Sequence, residues 1–290
     1  MQFVIAGATS ATGNAVTRRL VDHFGNESIQ CIARPSSQVE PLRQMGVRIH
    51  TGDVCDPRAL QAVLNSSVTF VDMTHPRYYP ETVPLVCKCG VERAFYITTT
   101  GIFSTYHHCS DIYKTGERII AESGLVYTIL RPSMIYGSDR DRNMNRLIRF
   151  LRRTRIFPLF GGGGSKMQPV HYEDLADGIV SAIQHTGSDY KAYNLAGPEP
   201  LTYRKLVETI LDRLQRRVHL VSIPTGPTFL AVKSLQWLPR FPINGEQVLR
   251  LREDKVFDVS DAVADLGYRP RPFAEGVAEE IEALRSAGVI

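Results

Sequence analysis

The chain has 290 residues, of which 43% are hydrophobic and 22% charged, and its net charge is +4. This composition excludes a disordered chain, and so small a positive charge gives no indication of nucleic-acid binding. The five cysteines form no CxxC pair, so neither a disulfide framework nor a zinc site is predicted.

A reducing cytoplasm is the expected location. The first turn begins within seven residues of Met1, which leaves no room for a signal peptide. A membrane span is not expected either, because no stretch reaches the ~18 consecutive apolar residues that it needs.

The first thirteen residues predict a strand, a tight turn and the start of a helix. The apolar run over 3–6 stops at Gly7, and apolar residues recur at helical spacing after Asn14. The spacing of Gly7, Ser10 and Gly13 favours a pyrophosphate site, where backbone N–H groups and the helix dipole attract negative charge. A glycine pattern alone is weak, since many such turns use glycine only to change direction. At Ser10 a Cβ narrows the gap to the phosphate, although the hydroxyl could donate a hydrogen bond.

Strand and helix patterns alternate through the first half of the chain. The predicted strands are QFVIA, IQCIA, VRIHTGD, VTFVDM, ERAFYITT and residues 125–129, and the predicted helices are 14–24, 38–45, 57–64 and 80–89. This alternation predicts an α/β fold, a Rossmann-type doubly wound parallel sheet with helices on both faces. Ligands of such sheets lie across the carboxyl ends of the strands.

Informative residues follow three of these strands. Arg34, helped by Ser36 or Ser37, would bind a 2′-phosphate, so it favours NADP(H) over NAD(H). Asp53 could accept a hydrogen bond from an adenine amino group, or cap the next helix. His75 could lie near the nicotinamide ribose, or serve as a structural histidine before the proline turn.

The second half of the chain contains four less specific features. Seven arginines over 140–155 alternate with apolar residues, which predicts an amphipathic helix that either clamps an anionic substrate or presents a solvated basic face. Four glycines at 161–164 indicate a mobile flap or a tight crossing. Helices over 174–185 and 202–216 and the strand HLVSI follow. An apolar helix over 228–238 could pack internally, cover a substrate, bind a partner or lie on a membrane surface.

Seven segments resemble the extended or atypical short-chain dehydrogenases/reductases, which include nucleotide-sugar epimerases, dehydratases and NmrA-like proteins. In family order they are GATSATG at the first turn, GDV at 52–54, YITTTGIF at 96–103, the helix around Lys114, LVYTILRPSMIYG at 125–137, QPVHYEDLADGI at 168–179 and YNLAGPEPLTYRKL at 193–206. The resemblance covers nearly the whole chain. It implies a Rossmann domain over 1–136 with a return segment over 168–196, and a smaller substrate-side lobe over 137–167 and 197–290.

The resemblance also implies catalytic residues. In the family, a Ser or Thr after the fifth strand orients the substrate oxygen, a Tyr is the acid or base, and a Lys four residues later holds the nicotinamide ribose. Thr99 and Lys114 match the first and third roles. Ser110 stands at the Tyr position, and none of the seven lysines has a tyrosine four residues before it. Because a serine hydroxyl is too weak an acid, the proton would come from Lys114, water or another phenol.

Two tyrosines near this position are weighed as that phenol. Tyr106, in the loop before the helix, is the candidate, although it could equally cover the core. Tyr113 is predicted to face packing, because it lies about 100° around the helix from Lys114. Arg131 could line the nicotinamide face, as in the family, or form a structural ion pair.

Three functions are therefore open. The first is an NADP(H)-dependent oxidoreductase acting on a small organic substrate, and the second is a nucleotide-sugar epimerase or dehydratase, which Arg34 and the missing tyrosine weaken. The third is an NADP(H)-binding regulator or assembly factor without catalysis. A homodimer is possible, and no metal site is predicted. The predicted cofactor-binding residues are Gly7, Thr9, Ser10, Ala11, Thr12, Gly13, Arg34, Asp53, Val54, Thr74, Lys114 and Pro132.

Overall fold

A computed structural model describes residues 1–105, 107–139, 141, 143–224 and 253–290, with the backbone alone at 107–109. The candidate phenol Tyr106 and the predicted apolar helix over 228–238 lie outside the described residues. The chain forms two compact units. Unit 1 comprises Met1–Ser133, Tyr172–Ala196 and Asp258–Pro270, and unit 2 comprises Met134–His171, Gly197–Phe257 and Arg271–Ile290.

Strands and helices alternate along most of the described chain. The strands are β1 Gln2–Ala6, β2 Ile29–Ala33, β3 Arg48–Thr51, β4 Val68–Asp72, β5 Arg93–Ile97, β6 Val126–Pro132, β7 Ile135–Tyr136, β8 Ile156–Phe160, β9 Lys166–Met167, β10 Val170–His171, β11 Lys191–Leu195, β12 Leu201–Thr202 and β13 His219–Ile223. The helices are α1 Ala11–Phe24, α2 Glu40–Gln44, α3 Pro57–Gln61, α4 Tyr79–Lys88, α5 His107–Ala121, α6 Met144–Arg153, α7 Tyr172–Gln184, α8 Tyr203–Leu214, α9 Ser260–Leu266 and α10 Phe273–Ser286.

Unit 1 contains the predicted Rossmann-type sheet. Its seven strands are all parallel and have the order β11-β6-β5-β4-β1-β2-β3. The chain runs outward from β1 through β2 to β3 and then returns to β4, on the other side of β1. The carboxyl ends of β1 and β4 are therefore the switch point of the sheet, which is where ligands bind in doubly wound folds. The predicted fold is confirmed.

The helices of unit 1 differ from the sequence prediction mainly at their ends. The first helix begins at Ala11 rather than at residue 14, because Ser10 caps it. The second and third helices are only five residues long, Glu40–Gln44 and Pro57–Gln61. The sixth strand reaches Pro132 rather than ending at residue 129, since β11 pairs with it along Thr128 to Pro132.

The segment Asp258–Pro270 belongs to unit 1, although the sequence resemblance assigned it to the smaller lobe. The Asp265 carboxylate accepts a hydrogen bond from the Tyr193 hydroxyl at 2.8 Å and pairs with Lys191 Nζ at 2.7 Å. The buried Tyr268 hydroxyl donates to the Ala196 carbonyl at 3.1 Å. These contacts hold α9 on the edge strand β11, and periodicity along the sequence carries no information about them.

Unit 2 has its own apolar core. Three helices of this unit contribute one face each to it, with buried residues at helical spacing: Met144, Ile148 and Leu151 on α6, Leu206, Val207 and Ile210 on α8, and Val277, Ile281 and Leu284 on α10. The described arginines over 146–155 are exposed, which agrees with the solvated-face alternative. The Gly163 backbone lies so close to Arg204 that a Cβ would be 3.0 Å from its amide nitrogen, so the glycine run is a tight crossing.

Candidate functional site

The turn after β1 lies at the switch point of the sheet. Gly7 has a φ of +81°, a left-handed conformation that favours glycine, and a Cβ there would lie 2.6 Å from the carbonyl oxygen of Met73. A Cβ on Gly13 would lie 2.3 Å from the Gly7 carbonyl oxygen. Helix α1 therefore starts in direct backbone contact with the strand before it, as the dinucleotide-binding pattern requires.

Ser10 replaces the middle glycine of the pattern and caps α1. Its Oγ accepts a hydrogen bond from the Gly13 amide at 3.0 Å and donates one to the Gly7 carbonyl at 3.0 Å. The hydroxyl proton is therefore used within the turn, and we no longer expect Ser10 to donate it to a phosphate. The amides of Ala11 and Thr12 lie in the first turn of α1, where N–H groups have no intrahelical acceptor. These two amides are the groups that the predicted pyrophosphate site would use.

Arg34 follows β2, on the side of the switch point where a dinucleotide places its adenosine ribose. Its side chain is exposed, and no described carboxylate pairs with it. The Ser37 amide donates to the Arg34 carbonyl at 2.9 Å, which closes a turn directly after β2. The Arg34 guanidinium of the predicted 2′-phosphate site therefore has no ion pair with a described carboxylate.

Asp53 follows β3 but does not cap the next helix, which corrects one alternative of the sequence analysis. Asp56 caps α3, with its carboxylate accepting from the Arg58 amide at 2.9 Å. Asp53 instead accepts from the Cys55 amide at 3.0 Å and remains exposed at the sheet edge. The neighbouring Val54 is buried in the core of unit 1.

The end of β4 holds a buried carboxylate. Asp72 is fully buried, and burial raises the pKa of its carboxyl group to about 6. Its Oδ1 accepts from the Thr74 amide at 2.9 Å and from the Thr74 hydroxyl at 2.6 Å. Asp72 therefore fixes the loop in which Thr74 was predicted to meet the cofactor.

His75 takes the structural role that the sequence left open. Its Nδ1 accepts from the Arg77 amide at 3.2 Å and so caps the short helical turn Pro76–Tyr78. Burial and the Arg77 charge lower the pKa of the ring. The imidazole ring is nonetheless exposed, and it lies 6.2 Å from the ring of Tyr113.

Thr99 stands at the carboxyl end of β5 with its hydroxyl in a defined position. The Thr99 Oγ1 accepts from the Gly101 amide at 3.1 Å, which caps the next helical turn. Because the oxygen serves as acceptor, the hydroxyl proton is free to be donated to an oxygen atom of a substrate. This geometry agrees with the role predicted for Thr99.

Helix α5 is anchored to the sheet by a buried ion pair. Glu117 accepts from the Thr98 hydroxyl at 2.8 Å and binds Arg131 with both carboxylate oxygens. Arg131 therefore forms a structural ion pair, which is one of the two roles that the sequence analysis left open. The Thr100 hydroxyl donates to the Pro132 carbonyl at 3.2 Å, which ties the loop after β5 to the end of β6.

The rotation of α5 differs from the prediction. Ser110, at the family's tyrosine position, is fully buried, and its hydroxyl has no hydrogen-bond partner among the described residues. Lys114 is exposed. Tyr113, predicted to face packing, is half-buried, and its ring packs against Gly101 after the carboxyl end of β5. A Cβ on Gly101 would be 2.8 Å from the Tyr113 Cε2 and 3.3 Å from the Thr99 Cγ2.

The pairing of Glu117 explains the place of Tyr113. Tyr113 precedes Glu117 by four residues, so both lie on one face of α5. Because Glu117 is paired with Arg131 of β6, that face is the one directed toward the sheet. The Tyr113 ring thus lies over Gly101 beside the Thr99 methyl group, after the carboxyl end of β5.

The residues present fit a dinucleotide. The close backbone approach at Gly7 and Gly13 sets the start of α1 against the end of β1, where the Ala11 and Thr12 amides have no intrahelical acceptor. Among the described residues, no group of three or more His, Cys, Asp or Glu side chains could hold a metal ion. No helix of the described segments is long and apolar enough to cross a membrane.

Comparison with known proteins agrees with this site. A family model described as NAD(P)H-binding matches residues 7–186. The uncharacterized protein y4nG of Sinorhizobium fredii is 32% identical over 160 residues, which are 54% of this chain and 40% of that protein. The mitochondrial NADH dehydrogenase (ubiquinone) 1 alpha subcomplex subunit 9 of Arabidopsis thaliana is 31% identical over 146 residues, 48% of this chain and 35% of that subunit. The matches thus span less than half the length of these two relatives.

Among solved structures, the NADPH-dependent quinone oxidoreductase QOR2 of Escherichia coli is similar over almost the whole chain. The TM-score is 0.78 at 21% sequence identity, and the match covers 97% of this chain and 100% of that one. At this identity the likeness concerns the fold.

Proposed function

The chain belongs to the NAD(P)H-binding family, and on that premise we propose that it is an NADP(H)-dependent oxidoreductase acting on a small organic substrate. The coarser assignment, an NAD(P)-binding protein of reductase or epimerase type, follows from the family and the fold. One observation carries the finer proposal. The ring of Tyr113 and the methyl group of Thr99 both lie beside Gly101, after the carboxyl end of β5, so two side chains that carry hydroxyl groups are neighbours at the edge where a nicotinamide would lie.

Cofactor binding is proposed to use the turn and Arg34. The Ala11 and Thr12 amides would hold the pyrophosphate, and the exposed Arg34 guanidinium would bind the 2′-phosphate of NADP(H). Asp53, Val54, Thr74 and Pro132 stay predicted contacts of the cofactor, as do Thr9 and Ser10. Lys114 stays a prediction for the ribose, because a long side chain on the exposed side of α5 has the reach for it.

The chemistry divides between three groups. Bound NADPH would supply the hydride. Thr99 would orient the substrate oxygen. The hydrogen bond from the Gly101 amide holds the Thr99 hydroxyl in place, and the hydroxyl proton can then be donated to the substrate. Tyr113 would deliver a proton to the reduced substrate and recover it from solvent. This replaces the protonation by Lys114, water or Tyr106 that the sequence left open.

The test of catalysis is NADPH oxidation with a panel of quinones, aldehydes and ketones. UDP-glucose is added because an epimerase was the second enzymatic alternative. We expect Tyr113→Phe to lower kcat by about 100-fold or more, the usual size of an acid–base contribution, with the Kd of NADPH unchanged. The control is Tyr190→Phe, since Tyr190 is an exposed phenol in unit 1. Wild-type turnover in Tyr113→Phe would remove Tyr113 from the mechanism.

The test of cofactor choice is the Kd of NADPH against that of NADH. Replacing Arg34 by Gln removes a charge-assisted hydrogen bond, so NADPH should bind about tenfold or more weakly while NADH is unaffected. Arg43→Gln is the matched control, because Arg43 makes only an exposed pair with Glu40 at 3.5 Å. Equal affinity of the wild-type protein for both cofactors would contradict the role of Arg34.

A second candidate function is a cofactor-binding regulator or assembly factor without turnover. The observation that favours it is that the family's tyrosine position holds Ser110, which is fully buried and has no phenol. One relative is a subunit of a larger NADH dehydrogenase. Tight NADPH binding with no oxidation across the whole panel would favour this candidate over the first.

We also propose a reducing compartment such as the cytoplasm. The described cysteines Cys31, Cys55, Cys87 and Cys89 are all free thiols. Burial raises the pKa of both the Cys31 and the Cys55 thiol to about 12, which keeps them unreactive.

A further inference from the structure

Unit 2 contains a cavity of about 420 Å³ that the proposed reaction does not use. Four of the side chains that line it are arginines, and the other two are apolar: Arg152, Arg153, Arg216, Arg285, Leu214 and Ile290. All four arginines are exposed, so water and salt screen their mutual repulsion, and a bound anion would reduce that repulsion further.

Three helix ends create this cavity. Arg152 and Arg153 lie in the last turn of α6, and Arg285 lies in the last turn of α10. Arg216 follows the end of α8 by two residues. A helix C-terminus carries about half a unit of negative charge, which stabilises a nearby cation. This helix-dipole effect stabilises one arginine at each of the three helix ends. Four full positive charges are more than the partial negative charges of three helix ends can balance.

The carboxylates of unit 2 do not neutralise the cavity. No ion pair joins Arg152, Arg153 or Arg216 to any carboxylate in the described part of the chain. Arg285 has an exposed pair with Glu282 at 3.5 Å, a type of contact that contributes little. Asp212 lines a neighbouring cavity of about 270 Å³ that shares Arg216. Arg152 and Arg153, unlike Arg216, do not line the neighbouring cavity that contains a carboxylate.

We propose that this cavity binds a phosphate-bearing ligand. The planar guanidinium groups donate paired hydrogen bonds that match phosphate oxygens, and arginines on three different elements surround such a group. Leu214 and Ile290 give the cavity an apolar wall for a short apolar part of the ligand. A soluble phosphorylated compound and the phosphate headgroup of a lipid share this chemistry. The site is independent of the proposed oxidoreductase activity.

Calorimetry with inorganic pyrophosphate tests the site, using the full chain saturated with NADPH so that the cofactor turn is blocked. We expect the double variant R152Q/R153Q to bind pyrophosphate at least about tenfold more weakly than the wild type. The matched control is R146Q/R149Q, which removes two exposed arginines from the same helix that do not line the cavity. The control should change the affinity less than about twofold, and added salt should weaken wild-type binding.

Sedimentation with vesicles distinguishes the two sources of phosphate. Phosphatidylcholine vesicles with and without phosphatidic acid are compared for the same three proteins. Retention that needs both phosphatidic acid and Arg152 and Arg153 supports a lipid headgroup, and pyrophosphate binding without retention supports a soluble ligand. Equal loss in R152Q/R153Q and in R146Q/R149Q would overturn the proposal, as would the absence of both pyrophosphate binding and retention.

Discussion

The turn after β1 and the segment from β5 into α5 lie at the same edge of one sheet, yet they follow the family pattern to different degrees. In the turn, Gly7 and Gly13 act through the backbone, and even the substituted Ser10 keeps the turn closed. In α5, the side chains expected at the tyrosine and lysine positions are buried Ser110 and exposed Lys114.

The difference teaches that binding and chemistry are specified by different parts of the chain. A pyrophosphate site needs only N–H groups and space, so it tolerates changes of side chain that leave the backbone in place. An acid–base site needs one phenol at one point, and a helix can supply it from another of its positions. In the proposed mechanism Tyr113 is such a position, three residues after Ser110.

The largest effect is expected in the turn. Replacing Gly13 by Val forces a Cβ to within 2.3 Å of the Gly7 carbonyl oxygen, so we expect more than about 4 kcal/mol of lost stability and no NADPH binding. Chemical denaturation and calorimetry would measure both. Ala11→Val adds a branched side chain to the same turn without this contact and should cost less than about 1 kcal/mol. Similar behaviour of the two variants would contradict the close backbone approach.

The anchor of α5 should come next. Glu117→Gln leaves the Arg131 guanidinium, which is largely buried, without its carboxylate, and breaking such a pair costs about 3 kcal/mol. The variant should also lower turnover more than NADPH affinity, because the helix that carries Tyr113 loses its position. Denaturation and kinetics test this, with the exposed Glu122→Gln as control. An unchanged kcat in a destabilised protein would show that Tyr113 does not depend on the anchor.

The pH dependence of the unfolding free energy tests the buried carboxyl group of Asp72, at the end of β4. The folded-state pKa of Asp72 is raised from 3.8 to about 6, so the folded protein binds more protons than the unfolded chain between these values. The free energy of unfolding should therefore fall by about 2 kcal/mol as pH rises from about 4 to 6. The Asp72→Asn variant should not show this decrease in unfolding free energy. The Asp56→Asn variant, which changes an exposed carboxylate, should still show it. A wild-type-like pH profile in Asp72→Asn would contradict the raised pKa.

The smallest effect concerns Ser10. Ser10→Gly restores the family's middle glycine, removes the cap of α1, and should cost only a few tenths of a kcal/mol. NADPH affinity should stay within about twofold or improve slightly, because the Ser10 proton is already donated to the Gly7 carbonyl. Calorimetry would detect a large loss of affinity, which would mean that the hydroxyl contacts the phosphate after all.

The sequence predicted the features that depend on local pattern. Alternating apolar runs identified the strands of the sheet, and the turn at Gly7 and Gly13 identified the ligand edge. Features set by long-range contacts escaped it. The rotation of α5 depends on the pairing of Glu117 with Arg131, and the place of α9 depends on Asp265 contacting Tyr193. The cap of α3 is Asp56, three residues after Asp53, which the sequence analysis had offered as the cap.

The interleaving of the two units along the chain has a consequence for any attempt to divide the protein. Unit 1 is assembled from three separate segments, so a fragment that stops at residue 133 lacks β11, α7 and α9. Strand β6 would then become an edge strand with seven residues and open hydrogen-bonding groups, which favours aggregation. Partial proteolysis or truncation should therefore yield insoluble material.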